Sequence, residues 1–410
     1  MSKIINVPKL RFKEFSGEWE EKYLSELGTF KNGLNKSKED FGFGYPFVNL
    51  MDVFGKDVVF SEKFDLVNAN EKDLKLYNLL KGDILFIRSS VKREGVGETI
   101  LVLDDLENTT YSGFLIRFRE KTKYLNLLFK KYCFKTKKFR KSLLSLSTTS
   151  ANTNINQESL NLLKLNFPAK QEQEKIASFL TSVDIKIEQL TKKEELLQQY
   201  KKGVMQKIFN QEIRFKDDDV SEFPEWEEYT LNDFLIPTLR EVEKPKENYL
   251  AIGVRSHCKG TFQKPDSEPD KIAMDRLYVV KENDLIVNIT FAWESGIAIV
   301  KKEDEGGLVS HRFPTYTFDE KISNSKYFQY VIIQKRFRIM LDLISPGGAG
   351  RNRVMSKKDF LTLKWELPCI EEQNKIANFL SSIDTKIQQT QKQLESSKEF
   401  KKALFQQMFV

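Results

Sequence analysis

Two long segments of the chain, 200 positions apart, repeat one sequence plan. Phe167–Asn210 aligns without a gap with Leu367–Val410, and 19 of the 44 aligned pairs are identical. Both copies contain EQ-x-KIA-x-FL near the start and a pair of lysines further on. A repeat of this length indicates duplication, so each copy is expected to form the same structural element in its own half of the chain.

The regions that precede the repeated tails resemble each other more faintly. RFKEFSGEWEEKYLSEL (Arg11–Leu27) recurs as RFKDDDVSEFPEWEEYTLNDF (Arg214–Phe234), and Trp19 matches Trp226. Each half therefore has an entry segment, a variable region of ordinary domain size and a conserved tail. This plan predicts four segments: a first globular domain with its entry segment (1–166), a central helix (167–210), a second globular domain (211–366) and a C-terminal helix (367–410).

Apolar residues in both tails alternate at intervals of four and three, the pattern typical of a coiled coil. Pro168 and Pro368 stand just before the two patterns, where the missing N–H costs little. At 1.5 Å per residue, about 40 residues make a helix of roughly 60 Å. The predicted seam residues are Ile176, Leu180, Val183, Ile187, Leu190, Ile376, Leu380, Ile383, Ile387 and Leu394.

A single helix of this length cannot bury its apolar seam alone. We predict that the two helices pair with each other, antiparallel, with one globular domain at each end. Two alternatives remain open: each helix folds back on its own globular domain, or both helices mediate dimerisation. The polar residues Glu194, Lys201 and Lys401 interrupt the seam, and such residues commonly set the register of a coiled coil.

The globular regions carry both strand-like and helix-like patterns. Gly113–Arg119, Asp83–Ser89 and Asp284–Thr290 alternate or run apolar, as strands do. Lys121–Leu143 contains nine Lys or Arg residues and no acid, and we predict one basic helix there. The predicted fold class is α+β: two globular domains separated by two long helices that form an antiparallel coiled coil, with an internal pseudo-twofold repeat.

Several function classes find no support in the sequence. No apolar run approaches the roughly 18 residues of a membrane span, and the first residues lack the apolar core of a secretory signal. The three cysteines are far apart, which favours a reducing cytoplasm and disfavours a disulfide framework. No GxxxxGK[ST] phosphate loop or glycine-rich cofactor turn occurs, and the two histidines are not placed to bind a metal. The chain is expected to bind rather than to catalyse.

Duplex DNA is a ligand that suits this plan. Lys and Arg number 66 against 59 Asp and Glu, a net charge of +7, which permits binding to nucleic acid. Two recognition domains on a rigid spacer can read two sites that recur along a helical axis. Because the globular halves have diverged and the helices have not, the two DNA half-sites are expected to differ.

The repeated tail P-x3-EQ-x-KIA-x-FL…D-x-KI and the repeated RFK…EWEE entry resemble the specificity subunit of type I restriction–modification enzymes. VNITFAWESGIAIV (Val287–Val300) and VSHRFPTY (Val309–Tyr316) also resemble that family's target recognition domain, whereas FIRSSVKREGVGETILVL in the first half is only loosely similar. The resemblance implies two target recognition domains that each read half of an asymmetric bipartite site in double-stranded DNA. It also implies helices that dock two methylation subunits, to which restriction subunits are added.

The same resemblance implies that this chain holds no catalytic centre, metal or cofactor. S-adenosylmethionine, ATP and Mg²⁺ would be used by the partner subunits.

Recognition by the first domain is expected to come from two polar stretches. Lys and Arg side chains contact phosphates, and polar side chains on loops contact base edges. The run STTSANTNIN (Ser147–Asn156) precedes the central helix, and an ordinary solvated loop remains the alternative there. The candidate DNA-binding residues are Arg88, Ser89, Lys92, Arg93, Thr149, Asn152 and Asn154.

In the second domain the corresponding loop is SPGGAGRNR (Ser345–Arg353). Its glycines permit close approach of the backbone to DNA, and arginines make bidentate contacts with guanine or phosphate. Trp293 could instead belong to the core. The candidate DNA-binding residues are Asn288, Thr290, Trp293, His311, Arg312, Gly348, Arg351 and Arg353.

Two other function classes remain in competition with DNA recognition. One is a coiled-coil interaction scaffold without a DNA role, and the other is a nuclease with a carboxylate site that no motif reveals. The scaffold would not bind a methyltransferase, and the nuclease would cut DNA by itself in the presence of a metal.

Overall fold

The computed structural model describes residues 6–149, 152–347 and 353–410. The chain forms two compact units: Met1–Lys193 with Thr390–Val410 (the first unit), and Glu194–Gln389 (the second unit). The two long helices are Lys170–Phe209 (the central helix) and Ile370–Met408 (the C-terminal helix). Each unit contains one globular region, part of the central helix and part of the C-terminal helix.

The globular region of the first unit is built on a five-stranded sheet. Its buried strands, such as Ile84–Ile87 (ILFI), are almost purely apolar, as expected for strands covered on both faces. In sheet order the strands are Gly28–Asn32, Leu115–Glu120, Ile84–Ile87, Thr99–Val102 and Val58–Val59. A three-stranded sheet (Asp65–Val67, Phe41–Val48, Thr110–Tyr111) and the short helices Leu24–Leu27, Leu50–Val53, Glu71–Leu76, Lys130–Cys133, Lys137–Leu146 and Gln157–Asn161 complete this region.

The second unit uses a related but divergent arrangement. One sheet has the order Leu235–Pro237, Thr315–Phe318, Leu285–Val287, Ile297–Ile299. Another has the order Glu241–Glu243, Arg276–Val279, Leu308–Val309, Tyr249–Val254, Thr261–Ser267. The helices are Ser325–Val331, Lys335–Leu343 and Lys357–Leu361. The mixed strand and helix content confirms the predicted α+β class.

In both units the strand after the entry tryptophan pairs with the strand that leads into the long helix. Glu20–Tyr23 is antiparallel to Lys164–Phe167, with Lys22 opposite Leu165. Glu227–Thr230 is antiparallel to Lys364–Leu367, with Tyr229 opposite Trp365. The two copies of the sequence plan therefore have the same local register.

The long helices pack against each other within each unit. In the first unit Ile176 and Leu180 share a core with Leu404 and Met408, so the start of one helix lies against the end of the other. In the second unit Ile208 shares a core with Ile376–Ile387 in the same antiparallel sense. The predicted antiparallel pairing is confirmed. The helix starts also pack on their own globular region, so the fold-back alternative describes a second contact of the same helices.

The predicted seam is the buried side of each helix. Val183 and Ile187 are half-buried and the other eight predicted positions are buried: Ile176, Leu180, Leu190, Ile376, Leu380, Ile383, Ile387 and Leu394. Full burial of one such side chain stabilises a fold by about 1.5–3 kcal/mol. The seam therefore supplies much of the free energy that holds the helices together.

The repeated RFK and EQ motifs are in contact in both units. Arg11 donates two hydrogen bonds to the carboxylate of Glu172, from Nε at 2.8 Å and from Nη2 at 2.7 Å. Arg214 does the same with Glu372, at 3.3 and 2.8 Å. The Glu172 side chain is only 2% exposed, so the bidentate pair stabilises a charge that would otherwise be costly to bury.

The interruptions in the seam carry ion pairs between the helices. Lys401 donates to Asp184 at 2.6 Å in the first unit, and Lys201 donates to Asp384 at 2.5 Å in the second. Asp184 and Asp384 occupy the same place in the repeat, as do Lys201 and Lys401. Each bond joins one copy to the other, which supports the register-setting interpretation of the two lysines.

The acidic member of each pair also binds the globular region. Tyr132 donates its hydroxyl to Asp184 at 2.8 Å, and Tyr330 donates to Asp384 at 2.9 Å. Lys131 adds a further bond to Asp184 at 2.5 Å. Burial alone would raise the pKa of Asp184, but the hydrogen bonds from Lys131 and Lys401 outweigh it and hold the pKa below its usual 3.8.

This lowered pKa predicts that the contacts of Asp184 stabilise the first unit less in acid. A carboxyl whose folded-state pKa is depressed stabilises the fold above its ordinary pKa, and the contribution is lost as the pH falls through the depressed value. Asp184→Asn should lower the free energy of unfolding by about 1 kcal/mol at pH 7, and this difference should shrink as the pH falls below 3.8. Hydrogen exchange of the amides in residues 170–193, followed in urea from pH 7 into the acid range, measures the difference for the first unit. A difference that stays constant as the pH falls would contradict the prediction.

The predicted single basic helix over Lys121–Leu143 is wrong. The structure has two short helices, Lys130–Cys133 and Lys137–Leu146. Asn126 accepts hydrogen bonds from the backbone N–H groups of Leu128 and Phe129, which favours a turn before the first helix. Thr136 is extended and caps the second helix by accepting from the N–H of Phe139, at 3.3 Å.

Candidate nucleic-acid interface

In the first unit a small sheet brings the two predicted polar stretches together. Its strands have the order Thr148–Thr149, Thr153–Asn154, Ser89–Ser90. Ser89 pairs with Asn154 and Ser90 pairs with Thr153. Residues more than 60 positions apart in sequence thus form one polar surface, as a joint DNA-binding role requires.

The turn that follows Ser90 presents the basic side chains. Lys92 and Arg93 are exposed, and within residues 6–149 and the other described ranges neither side chain has a hydrogen bond or ion pair. The guanidinium of Arg140 donates to the backbone oxygens of Glu94 and Val96, at 2.7 and 2.8 Å, and so holds the turn from behind. Arg140 therefore stabilises the turn from which the side chains of Lys92 and Arg93 project.

The remaining candidate DNA-binding residues of the first unit differ in their exposure and in their hydrogen-bond partners. Arg88 is half-buried and donates to the backbone oxygen of Gly113 at 3.4 Å. Asn154 donates its amide to the backbone oxygen of Asn152 at 3.0 Å. The side chain of Thr149 lies outside the described part of the structure, as do Gly348 and Arg351 of the second unit. Their contacts with DNA stay predictions.

The second unit repeats the backbone arrangement of this surface. The N–H of Ile289 donates to the oxygen of Arg312 at 3.0 Å, and the oxygen of Ile289 accepts from the N–H of Met355 at 2.9 Å. In the first unit Arg88 makes the same two bonds, with the oxygen of Phe114 at 2.8 Å and the N–H of Ile155 at 3.0 Å. Three chain segments therefore meet in the same way in both units, with different side chains.

Asn288, Thr290 and Trp293 shape one of these segments. Asn288 is buried, and its side-chain oxygen accepts from the hydroxyl of Thr290 at 2.8 Å. Trp293 is half-buried and donates its indole N–H to the backbone oxygen of Thr290 at 3.2 Å. In the structure the polar groups of Asn288 and Trp293 therefore make hydrogen bonds within the turn and stabilise it.

The other two segments differ in what they expose. His311 and Arg312 are exposed in a turn. The guanidinium of Arg353 donates to the backbone oxygen of Ser345 at 2.9 Å and to the carboxylate of Asp342 at 2.6 Å, and it lies 5.2 Å from the centre of the Trp293 ring. Arg353 thus links its segment to the end of the helix Lys335–Leu343. Of the two predicted arginines of the second unit that the structure describes, Arg312 is exposed and Arg353 is bound to neighbouring groups.

Sequence reasoning missed two exposed apolar side chains at this surface. Phe114, the counterpart of Arg312, is 58% exposed, and Val91 beside Lys92 is 85% exposed. The strand-like pattern Gly113–Arg119 includes Phe114, but the observed strand begins at Leu115. The sequence signal that could have predicted the exposure of Val91 is its place between serines and basic residues.

Other kinds of site find no support among the described residues. No described helix is both long and apolar enough to traverse a bilayer. The described residues also contain no group of three or more His, Cys, Asp or Glu side chains arranged to hold a metal ion.

Two divergent α+β regions, each joined to a copy of one long helix, define a class of duplicated recognition proteins. The family model of the type I restriction modification DNA specificity domain matches the chain twice, over residues 16–198 and 224–396. The chain belongs to this family, as its sequence motifs predict.

Individual proteins show the same relationship. The MjaX specificity subunit described for a type I restriction enzyme of Methanocaldococcus jannaschii is 26% identical over 414 residues, covering 97% of this chain and 94% of that protein. The MjaVIII specificity subunit of the same organism is 24% identical over 309 residues and covers 72% of each chain. The crystal structure of a type I S subunit from M. genitalium has a TM-score of 0.58 at 18% identity and covers 98% of this chain and 99% of that one.

Proposed function

We propose that this chain is the DNA sequence-specificity subunit of a type I restriction–modification complex. Each globular domain reads one half of an asymmetric bipartite site in double-stranded DNA, and the long helices set the spacing and dock two methylation subunits. Restriction subunits join this core in the full complex. Methyl transfer from S-adenosylmethionine and ATP- and Mg²⁺-dependent cleavage belong to those partners, and the complex works in the cytoplasm.

The observation that carries the proposal is a surface that each unit builds separately and in the same way. The same three segments meet through the same backbone hydrogen bonds, but they present Arg88 and Phe114 in the first unit and Ile289 and Arg312 in the second. A conserved frame with different side chains is what two readers of different half-sites require. Direct readout depends on side chains at base edges, whereas the backbone frame only positions them.

The decisive experiment maps methylated bases in DNA from cells that express this chain with its methylation subunit. We expect methylation at a motif of two specific blocks separated by a fixed gap. In the same cells, Arg312→Ala should relax sequence preference in one block and leave the other unchanged. Methylation without sequence preference, or a change in both blocks, would contradict the assignment of one half-site to each domain.

A further inference from the structure

The second unit contains a groove of about 600 Å³ that the candidate DNA-binding surface does not use. It lies between the end of the central helix and the start of the helix Lys335–Leu343. Its floor is aromatic and apolar, formed by Met205, Phe209, Trp226, Ile333 and Trp365. A concave site with such a floor is suited to an apolar side chain from another molecule.

The rim of the groove is basic. Lys202, Lys335, Arg336 and Arg338 line it, against the single acid Glu366. Arg336 is 3.6 Å from Glu366, and Arg338 donates to the hydroxyl of Ser295. Lys202 and Lys335 are exposed and have no ion pair among the described residues. The rim therefore offers two uncompensated positive charges to an acidic ligand.

A buried donor in the floor also lacks a partner. Trp365 is 5% exposed, and its indole N–H has no hydrogen-bond partner among the residues that the structure describes. By contrast, the indole N–H of Trp226 in the same groove donates to Glu372 at 3.2 Å. Buried donors are nearly always satisfied, so the N–H of Trp365 can donate to an acceptor on a ligand. The indole N–H of Trp19, beside the closed cavity of the first unit, also lacks a partner among the described residues.

The counterpart of this groove in the first unit is closed. Trp19, Phe409 and Leu165 occupy the repeat positions of Trp226, Phe209 and Trp365, and the cavity there is only about 10 Å³. The ring centre of Phe409 is 5.8 Å from that of Phe129, just as Phe209 is 5.8 Å from Tyr327 in the open groove. Phe409 also stacks on Phe405 at 5.1 Å, whereas the second unit has Met205 at that repeat position. The open groove is therefore a feature of one half only.

We propose that the groove binds an acidic segment of one methylation subunit, so that the two docking sites on this chain are unequal. The inference rests on the proposed function and names where one partner is held. A large apolar side chain covers the aromatic floor, flanking carboxylates pair with Lys202 and Lys335, and a carbonyl or carboxylate oxygen accepts from Trp365. The phosphates of DNA would match the rim but leave the apolar floor unfilled.

The test is a calorimetric titration of the full chain with the purified methylation subunit. The Lys202→Glu/Lys335→Glu variant reverses both free charges, and Lys246→Glu/Lys321→Glu reverses two exposed lysines of the same unit outside the groove. We expect the first variant to weaken one of two binding steps at least tenfold and to leave the other step unchanged. The control variant should bind as the wild type does, and the loss should shrink as salt is added.

Three results would overturn the proposal, and they are distinguishable. If both variants bind the methylation subunit like the wild type, the groove does not hold the partner, and the proposed function stands. If Lys202→Glu/Lys335→Glu instead weakens binding of a bare DNA duplex only, the groove is a phosphate site. If the wild-type chain itself does not bind the methylation subunit, the proposed function fails as well.

Discussion

Arg11→Ala should lower the stability of the first unit by about 3–4 kcal/mol. The substitution removes both hydrogen bonds to Glu172 and leaves a carboxylate that is 2% exposed without its counter-charge. Breaking a buried pair by removing one partner commonly costs 3–5 kcal/mol. Because the chain has two units, a single unfolding curve need not be two-state. Hydrogen exchange of the amides in residues 170–193, followed in urea, isolates the first unit.

Two further variants separate the charge effect from general damage. Lys13→Ala removes an exposed cation two residues away and should change stability by less than about 0.5 kcal/mol. Arg11→Lys keeps the charge but cannot reproduce the bidentate geometry, so it should fall between the wild type and Arg11→Ala. If Arg11→Ala and Lys13→Ala had equal effects, the pair would not stabilise the fold as described.

The variant Lys92→Ala/Arg93→Ala should weaken binding to target duplexes about 30-fold at 0.15 M salt. Each phosphate contact releases about 0.9 counterion, which at this salt concentration corresponds to roughly 1 kcal/mol. Both side chains are exposed in the turn that Arg140 supports, so their loss leaves the fold intact. The slope of log affinity against log salt should fall in magnitude by about 2.

The matched control is Lys63→Ala/Lys72→Ala, which removes two exposed lysines of the same unit away from the candidate surface. It lowers the net charge equally, so any difference reflects position and not overall charge. Equal weakening by the two variants would place the DNA elsewhere. A change in sequence preference without a change in salt slope would mean that Lys92 and Arg93 contact bases and not phosphates.

The helical part of the fold was predictable because its signals are long and duplicated. The four-and-three spacing from Ile176 to Leu190 recurs from Ile376, and the predicted helix bounds differ from the observed ones by only a few residues. The pairing of the two helices could be predicted because neither can bury so long an apolar seam alone. Charges within Lys121–Leu143 carried no such redundancy, and local hydrogen bonds at Asn126 and Thr136 decided the structure there.

The candidate surface was predictable in its segments but less so in the roles of single residues. The composition of the polar loops located both stretches of the first unit. It could not distinguish the outward Arg312 from Arg353, because that difference depends on Asp342 and Trp293, which come close to Arg353 only in the folded chain. The orphaned N–H of Trp365 likewise has no signature in the linear sequence.

The glutamines of the repeated EQ motif hold the globular regions almost entirely through main-chain atoms. The side-chain amide of Gln173 donates to the backbone oxygens of Tyr124 and Pro168. The amide of Gln373 donates to those of Ile322 and Pro368. Every amino acid supplies such an oxygen, so this attachment does not depend on the identity of the residue it grips. The amino acids at Tyr124 and Ile322 can therefore change without loss of these hydrogen bonds to the helix.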